Sequence, residues 1–302
     1  MFDSVVFAGG GHRCWWQLGW WEVVSEHIEL APRQIAGVSA GAATACVLYA
    51  SSAKIALAYY RRVLGAEARN FYPAHLIRRG QKVMPHEAIY RAALAELLGG
   101  PAFAQLMNTA PTIRILYARP PRWVPPTFAV GGALMAYSFE KYWLSSLHPR
   151  SGIRLGFKPG VAVVQDCADE QALIDLIIAS SSTPPFTSVQ RLGGSTVLDG
   201  GLIDNVPVAA LAPLPPLPTE ASLVEQRDSK LPRTLVLATR RYKKLDLVFE
   251  LDGRLYVQPS RKVDVSSWDY ANTDAYASTL EQGRQDAQHF LNYVRNQTGK
   301  MK

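Results

Sequence analysis

Ile35-Ala36-Gly37-Val38-Ser39-Ala40-Gly41-Ala42-Ala43 passes from a short apolar run into a long alanine-rich one. A serine flanked by glycines at such a junction reads as a sharp strand-to-helix turn. That turn presents Oγ at a sheet edge, where it can attack an ester carbonyl, and the glycines let strand and helix come close. Ala36, Ala40, Ala42 and Ala43 add further small side chains around it. A GxSxG string arises by chance in roughly one chain in ten of this length, so the motif needs company before it carries a function.

Working outward, the stretch before it repeats the same grammar. Ser4 to Ala8 is apolar, Gly9 to Gly11 breaks the run, and Cys14 to Ile28 has the composition of a helix. Two strand–helix units within fifty residues imply a parallel sheet. Further strands are expected at Thr112 to Ala118, Val161 to Asp166, Ser195 to Leu198 and Thr234 to Thr239. Helices are expected at Lys54 to Leu64, His86 to Leu98, Glu170 to Ser180 and Asp274 to Arg295. Arg119 to Pro126 and Leu211 to Pro232 are proline-rich and read as surface loops. Apolar strands resume directly after each, and no internal repeat is visible. The chain therefore reads as one α/β domain over 1–302, with its motifs in a core of about 4–210 and a closing strand and helix at about 233–296.

Composition narrows the class. With 302 residues and 48% hydrophobic content the chain can bury a large core, which excludes disorder for most of it. Cys14, Cys46 and Cys167 are far apart and match no zinc spacing, so reduced, buried thiols in a reducing compartment are expected. Met1 to Val6 shows no basic-then-apolar leader, which points to a cytoplasmic protein without a secretory signal. Ile35 to Ala53 is uncharged over about the length of a membrane span. It is built from small residues around the Ser39 turn, and a buried helix after a strand accounts for it better than a membrane span. The net charge of +7 favours anionic surfaces, with peripheral contact to membrane lipid as one form. Its densest cluster, Arg240, Arg241, Lys243 and Lys244, reads as a solvated face, and no nucleic-acid motif accompanies it.

Two more motifs bear on chemistry. Gly9-Gly10-Gly11-His12-Arg13 ends the first strand and opens the first helix. Successive glycines can turn their N–H groups into one concavity, and the helix start adds partial positive charge, so the segment suits an anion. A dinucleotide site is disfavoured because Cys14 stands where GxGxxG needs its last glycine, and no GK[ST] follows for a phosphate loop. An oxyanion is left as the better guest. Downstream, Asp199-Gly200-Gly201 precedes Leu202-Ile203-Asp204-Asn205-Val206-Pro207. An aspartate at a strand end, released by two glycines, can reach a place that bulkier neighbours would close; alone, the string is also an ordinary turn signal.

In this order, GGGxR, GxSxG and DGG resemble the patatin-like phospholipase family of lipid acyl hydrolases. Ala179-Ser180-Ser181-Ser182-Thr183-Pro184-Pro185-Phe186 looks like that family's apolar helix end and proline turn. The resemblance spans about residues 4 to 210, with Cys14 departing from the glycine that usually follows the basic residue. It implies a three-layer α/β/α fold with a mainly parallel central sheet, and a Ser–Asp dyad in which Ser39 is the nucleophile and Asp199 the base. The oxyanion hole would comprise Gly9, Gly10, Gly11 and Ala40. Such chemistry needs no cofactor or metal, and its partner is a lipid substrate. An acyltransferase or thioesterase using the same nucleophile, and a non-catalytic lipid-binding relative, stay open as alternatives.

Other residues fit around this core. His289 is the one histidine after Asp199; it lies in a helical, partly polar stretch and reads as a surface or packing residue, so a Ser–acid–His triad is disfavoured. His12 reads as a loop residue with no partner. Arg13, a cation in the first helical turn, either supports the nest, meets a lipid phosphate or pairs with a nearby acid. Trp15, Trp16, Trp20 and Trp21 are expected in the core, whereas Trp123 to Trp143 reads as an aromatic cover over an acyl groove.

Overall fold

The computed structural model describes residues 2–64, 70–72, 84–121, 147–148, 151–214 and 231–298. Its strands are β1 (Ser4–Phe7), β2 (Gln34–Val38), β3 (Thr112–Arg119), β4 (Lys158–Val163), β5 (Gln190–Leu192), β6 (Ser195–Asp199), β7 (Thr234–Leu237), β8 (Val248–Leu251) and β9 (Arg254–Val257). The helices are α1 (Trp15–His27), α2 (Ala40–Ala50), α3 (Ala53–Leu64), α4 (His86–Leu98), α5 (Pro101–Thr109), α6 (Ser151–Arg154), α7 (Glu170–Ser180) and α8 (Thr273–Thr298). A mainly parallel central sheet flanked by helices results: β3, β2, β1, β7 and β9 run parallel, while β4, β6 and β8 join antiparallel at the margins.

Alternation along the strands gives the sheet two apolar faces. Val5, Phe7, Ile35, Ile113, Ile115, Leu235 and Leu237 point to one, against the seven longer helices. Val6, Ala8, Ala36, Val38, Leu116 and Val236 point to the other, covered by Val206, Val208, Ala210 and Leu211. Ala118 and Leu198 continue that second face beneath Phe157, Leu202 and Ile203. Strands buried on both faces read as continuous apolar runs, which is why β1, β2 and β7 stand out in the sequence. Each fully buried Ile or Leu among them contributes roughly 2 kcal/mol.

The first helix is buried from Trp15 to Trp21, and only its end, Ser25 to His27, is exposed. It lies between the sheet, where Phe7 and Trp21 rings are 5.5 Å apart, and α8, where Trp20 and Phe290 rings are 4.8 Å apart. All four of its tryptophans are buried, as their clustering suggests. Trp16 Nε1 donates to Asp286 Oδ2 at 2.7 Å, and Arg284 Nη2 pairs with Glu22 at 2.9 Å. The two helices cross backbone to backbone: a Cβ on Gly19 would stand 2.0 Å from Leu280 O, and one on Gly283 2.1 Å from Trp16 O.

Several elements fall outside what patterning reveals. β5, α5 and the β8–β9 hairpin are additions, and the strand expected at Val161 to Asp166 lies earlier, with 164–166 forming a short 3-10 turn. The aromatic segment Trp123 to Trp143 lies outside the described residues, as do most of the two proline-rich loops. Ile35 to Ala53 resolves into β2, the Ser39 turn and buried α2, and among the described residues no single helix is long and apolar enough to cross a membrane.

Candidate active site

Strand register brings the two candidate catalytic residues together. β2 pairs with β3 as far as Val38 opposite Leu116, and there β2 stops. The next β3 residues, Tyr117 and Ala118, pair antiparallel with Asp199 and Leu198 of β6. Because β4 occupies the other edge of β3 along 114–119, β2 and β6 share one edge and meet end to end. Ser39 leaves the end of one and Asp199 the end of the other. Gly200 makes the junction possible, since a Cβ there would lie 2.4 Å from Leu116 O and 2.7 Å from Val38 Cγ2.

Ser39 itself is strained. It holds φ 53° and ψ −134° between β2 and α2, a conformation that costs a non-glycine residue about 1–3 kcal/mol. The surroundings fix it: Ser39 N–H donates to Ser180 Oγ at 2.8 Å, and Ser180 Oγ donates in turn to Leu116 O at 2.7 Å. Its carbonyl accepts from Ala42 and Ala43 as the helix begins. Gly41 lets that helix press on β1, because a Cβ there would come 2.5 Å from Ala8 O.

Ser39 Oγ donates to Asp199 Oδ2 at 2.8 Å. The same carboxylate oxygen accepts from Thr183 Oγ1 at 3.2 Å, and Oδ1 accepts from Gly201 N–H at 2.7 Å. Burial pushes the Asp199 carboxyl up to about 6, against the pull of these three donors, which favour the anion. The result is a carboxyl that titrates closer to neutral pH than that of an exposed aspartate.

The glycine segment divides by role. Gly9 N–H donates to Asn205 O, while Gly9 O accepts from Asn205 Nδ2 at 2.8 Å and Thr239 Oγ1 at 2.6 Å. Its amide is therefore occupied, which corrects the expectation that Gly9 supplies an oxyanion donor; it ties the nest to the loop after Asp199 instead. The N–H groups of Gly10, Gly11 and Ala40 donate to no described residue. Gly11 holds φ 58°, in the left-handed region that turns the chain into the first helix. Arg13 Nε donates to Gly10 O at 3.1 Å, so the guanidinium braces the nest from within its own turn.

Two spaces meet at Ser39. An apolar cavity of about 700 Å³, its open mouth included, runs beneath α2 and is lined by Ala43, Val47, Ala56, Tyr60, Leu94 and Leu97. A polar pocket of about 540 Å³, its open mouth likewise included, is bordered by Gly10, Gly11, Arg13, Thr183, Asp199 and Asn205. Gly11, Ser39, Ser267 and Trp268 border both.

Two expectations need correction. His12 is not an unpartnered loop residue: it is buried, its Nδ1 meets Tyr276 OH at 3.3 Å, and its ring packs edge-on to Tyr270 at 4.2 Å. Burial lowers its pKa to about 3, so it is neutral and serves as packing. Cys167 is partly exposed, while Cys14 and Cys46 are buried as expected. His289 lies on the exposed side of α8. Ser180, Thr183 and Asn205, to which the motifs assign no role, hydrogen-bond to Ser39, Asp199 and Gly9 respectively. Their partners are far away in sequence, and a run of hydroxyl residues before two prolines was the signal available.

The fold is a mixed α/β one, built on a central, mainly parallel sheet flanked by helices. The sequence model described as patatin-like phospholipase matches residues 5–212, and the chain belongs to that family. No curated protein matches the chain significantly. Among solved structures, the chain is similar to VipD from Legionella pneumophila at 10% identity and a TM-score of 0.46, over 97% of this chain and 67% of that one.

Proposed function

We propose that this protein is a lipid acyl hydrolase that works through Ser39 and Asp199 and an acyl-enzyme intermediate. The observation that carries the reading is the 2.8 Å hydrogen bond from Ser39 Oγ to a buried, elevated-pKa carboxylate, placed where an apolar cavity meets a polar pocket. An acyl chain fits the first space and the alcohol part of a lipid ester the second.

Ionised Asp199 takes the Ser39 proton as Oγ attacks the ester carbonyl. The free N–H groups of Gly10, Gly11 and Ala40 are suited to the oxyanion that forms, and Asp199 returns its proton to the departing alcohol. Arg13, at the rim of the polar pocket, is suited to a lipid phosphate while it braces Gly10. Packing of α8 on α1 supports reading the chain as one catalytic unit.

Incubation with a fluorophosphonate probe, and with a panel of phospholipid and lysophospholipid vesicles scored by released fatty acid, tests this. Wild type is expected to label and to release acid. Ser39→Ala is expected to do neither, and Asp199→Asn to fold while losing at least a hundred-fold in rate. Normal turnover by Asp199→Asn would remove the dyad from the mechanism. Transfer of the acyl group to an added alcohol in preference to water would replace hydrolysis with acyl transfer.

A further inference from the structure

The carboxylate oxygen that accepts from Ser39 has a second donor. Thr183 Oγ1 reaches Asp199 Oδ2 at 3.2 Å, is 7% exposed and borders the polar pocket. Its turn is held at several points. Thr183 N–H donates to Thr187 Oγ1 at 2.6 Å, Thr187 Oγ1 donates to Ser181 O at 3.3 Å, and Thr183 O accepts from the amides of Phe186 and Thr187. The preceding residue is tied to the base as well, because Asp199 N–H donates to Ser182 O at 2.8 Å. A side chain fixed in this way is aimed at the carboxylate by the fold rather than by chance rotation.

The two donors differ in what happens to them during turnover. Once acylated, Ser39 Oγ has no hydrogen to give, so one of the two bonds on Oδ2 disappears. The Thr183 bond does not depend on the acyl group. We propose that Thr183 is a positioning residue for Asp199, the donor that stays on Oδ2 through the acyl-enzyme stage and keeps the carboxylate aligned for the water that releases the acid. This rests on the Ser39–Asp199 reading above. In that step water gives a proton to Asp199 Oδ2 as its oxygen bonds to the acyl carbon. The bond from that carbon to Ser39 Oγ then breaks, and the proton passes from Asp199 to Oγ. Thr183 neither gains nor loses a proton.

The groups hydrogen-bonded to the carboxylate are Ser39, Thr183 and the Gly201 amide. The Cys14 thiol and the Tyr90 hydroxyl also lie within electrostatic reach of it, but burial pushes both up and keeps them neutral between pH 4 and 9. Arg13 is the other charged side chain bordering the pocket among the described residues. Removing the Thr183 hydroxyl deletes a bond that favours the anion, so the acid limb of the rate profile should move to higher pH. A charge-assisted bond of this kind is worth about ten-fold in rate.

The test compares wild type with Thr183→Val, Thr183→Ala and Thr183→Ser on a water-soluble nitrophenyl acyl ester across pH 4 to 9. Thr183→Val and Thr183→Ala are expected to lower kcat about ten-fold with little change in KM and to displace the acid limb upward. Thr183→Ser, which keeps the hydroxyl, should restore both. A raised KM with unchanged kcat, an unmoved acid limb in both hydroxyl-free variants, or a Ser variant as impaired as the Ala variant would overturn the positioning role. Absence of turnover in wild type would instead overturn the hydrolase reading and this inference with it.

Discussion

Asp199 carries two opposed demands. The proposed mechanism needs it ionised, yet burial favours its neutral form and places its pKa at about 6. For an acid whose folded pKa exceeds its unfolded one, stability is full below the unfolded value and is lost as pH rises through the folded value. The window therefore runs from the ordinary aspartate range, near 4, to about 6, and the ionised form at pH 8 costs the fold roughly 3 kcal/mol. Activity is expected to climb over the pH range in which this stability falls, with its midpoint near 6. Because buried His12 titrates in the opposite sense, losing stability as pH drops below 6.5, the difference between wild type and Asp199→Asn isolates the aspartate. Urea unfolding at pH 5 and pH 8 is expected to show the Asn variant gaining on wild type at the higher pH, and equal differences at both would contradict the buried-charge account. Of these residues, Ser39 and Asp199 were legible from glycine-flanked motifs, since the backbone itself demands those glycines. Thr183 and Ser180 were not, because a hydroxyl acquires meaning only from the partner that the tertiary fold brings to it.

At the scale of elements, legibility followed burial pattern. α4 and α7 begin and end where the sequence pattern places them, at His86–Leu98 and Glu170–Ser180, and Asp169 caps the second by accepting from Ala172 N–H. α5 was missed because Pro101 opens it directly after Gly99 and Gly100, which read as a break. The β8–β9 hairpin carried a readable sign in Asp252-Gly253, both at positive φ, between short strands. No local pattern announces the meeting of α1 with α8, yet their closest approach depends on two glycines. Gly19→Ala would gain about 1 kcal/mol in helix propensity and place a methyl against Leu280 O at an impossible 2.0 Å. Separation of the helices is the remaining response, at a net cost of about 2–3 kcal/mol. Denaturant unfolding followed by tryptophan fluorescence should register this, since Trp16 and Trp20 sit at the crossing. A Gly19→Ala protein as stable as wild type would mean that the two helices stand further apart than described.

Over the whole molecule, the sheet end divides two environments with Ser39 on the boundary, and under the proposed hydrolase reading this division governs which acyl chains turn over. Helix α2 leaves Ser39 along the apolar cavity, contributing Ala40, Ala43, Thr44 and Val47 in turn. At about 1.5 Å of rise per residue, Val47 stands about 12 Å along the helix from Ser39. An acyl chain seated on Oγ and lying along α2 would pass Ala43 first and meet Val47 only if it is long. Val47→Phe therefore fills the far part of the cavity and leaves the dyad, the nest and the near part untouched. Short acyl esters of four carbons are expected to turn over within two-fold of wild type, while kcat/KM for chains of twelve carbons or more falls by about ten-fold or greater, the cost of displacing a few methylenes from an apolar site. A nitrophenyl ester series of increasing chain length measures this directly. If Val47→Phe slowed all lengths equally, the acyl chain would not run along α2, and the apolar cavity would have to hold some other part of the lipid.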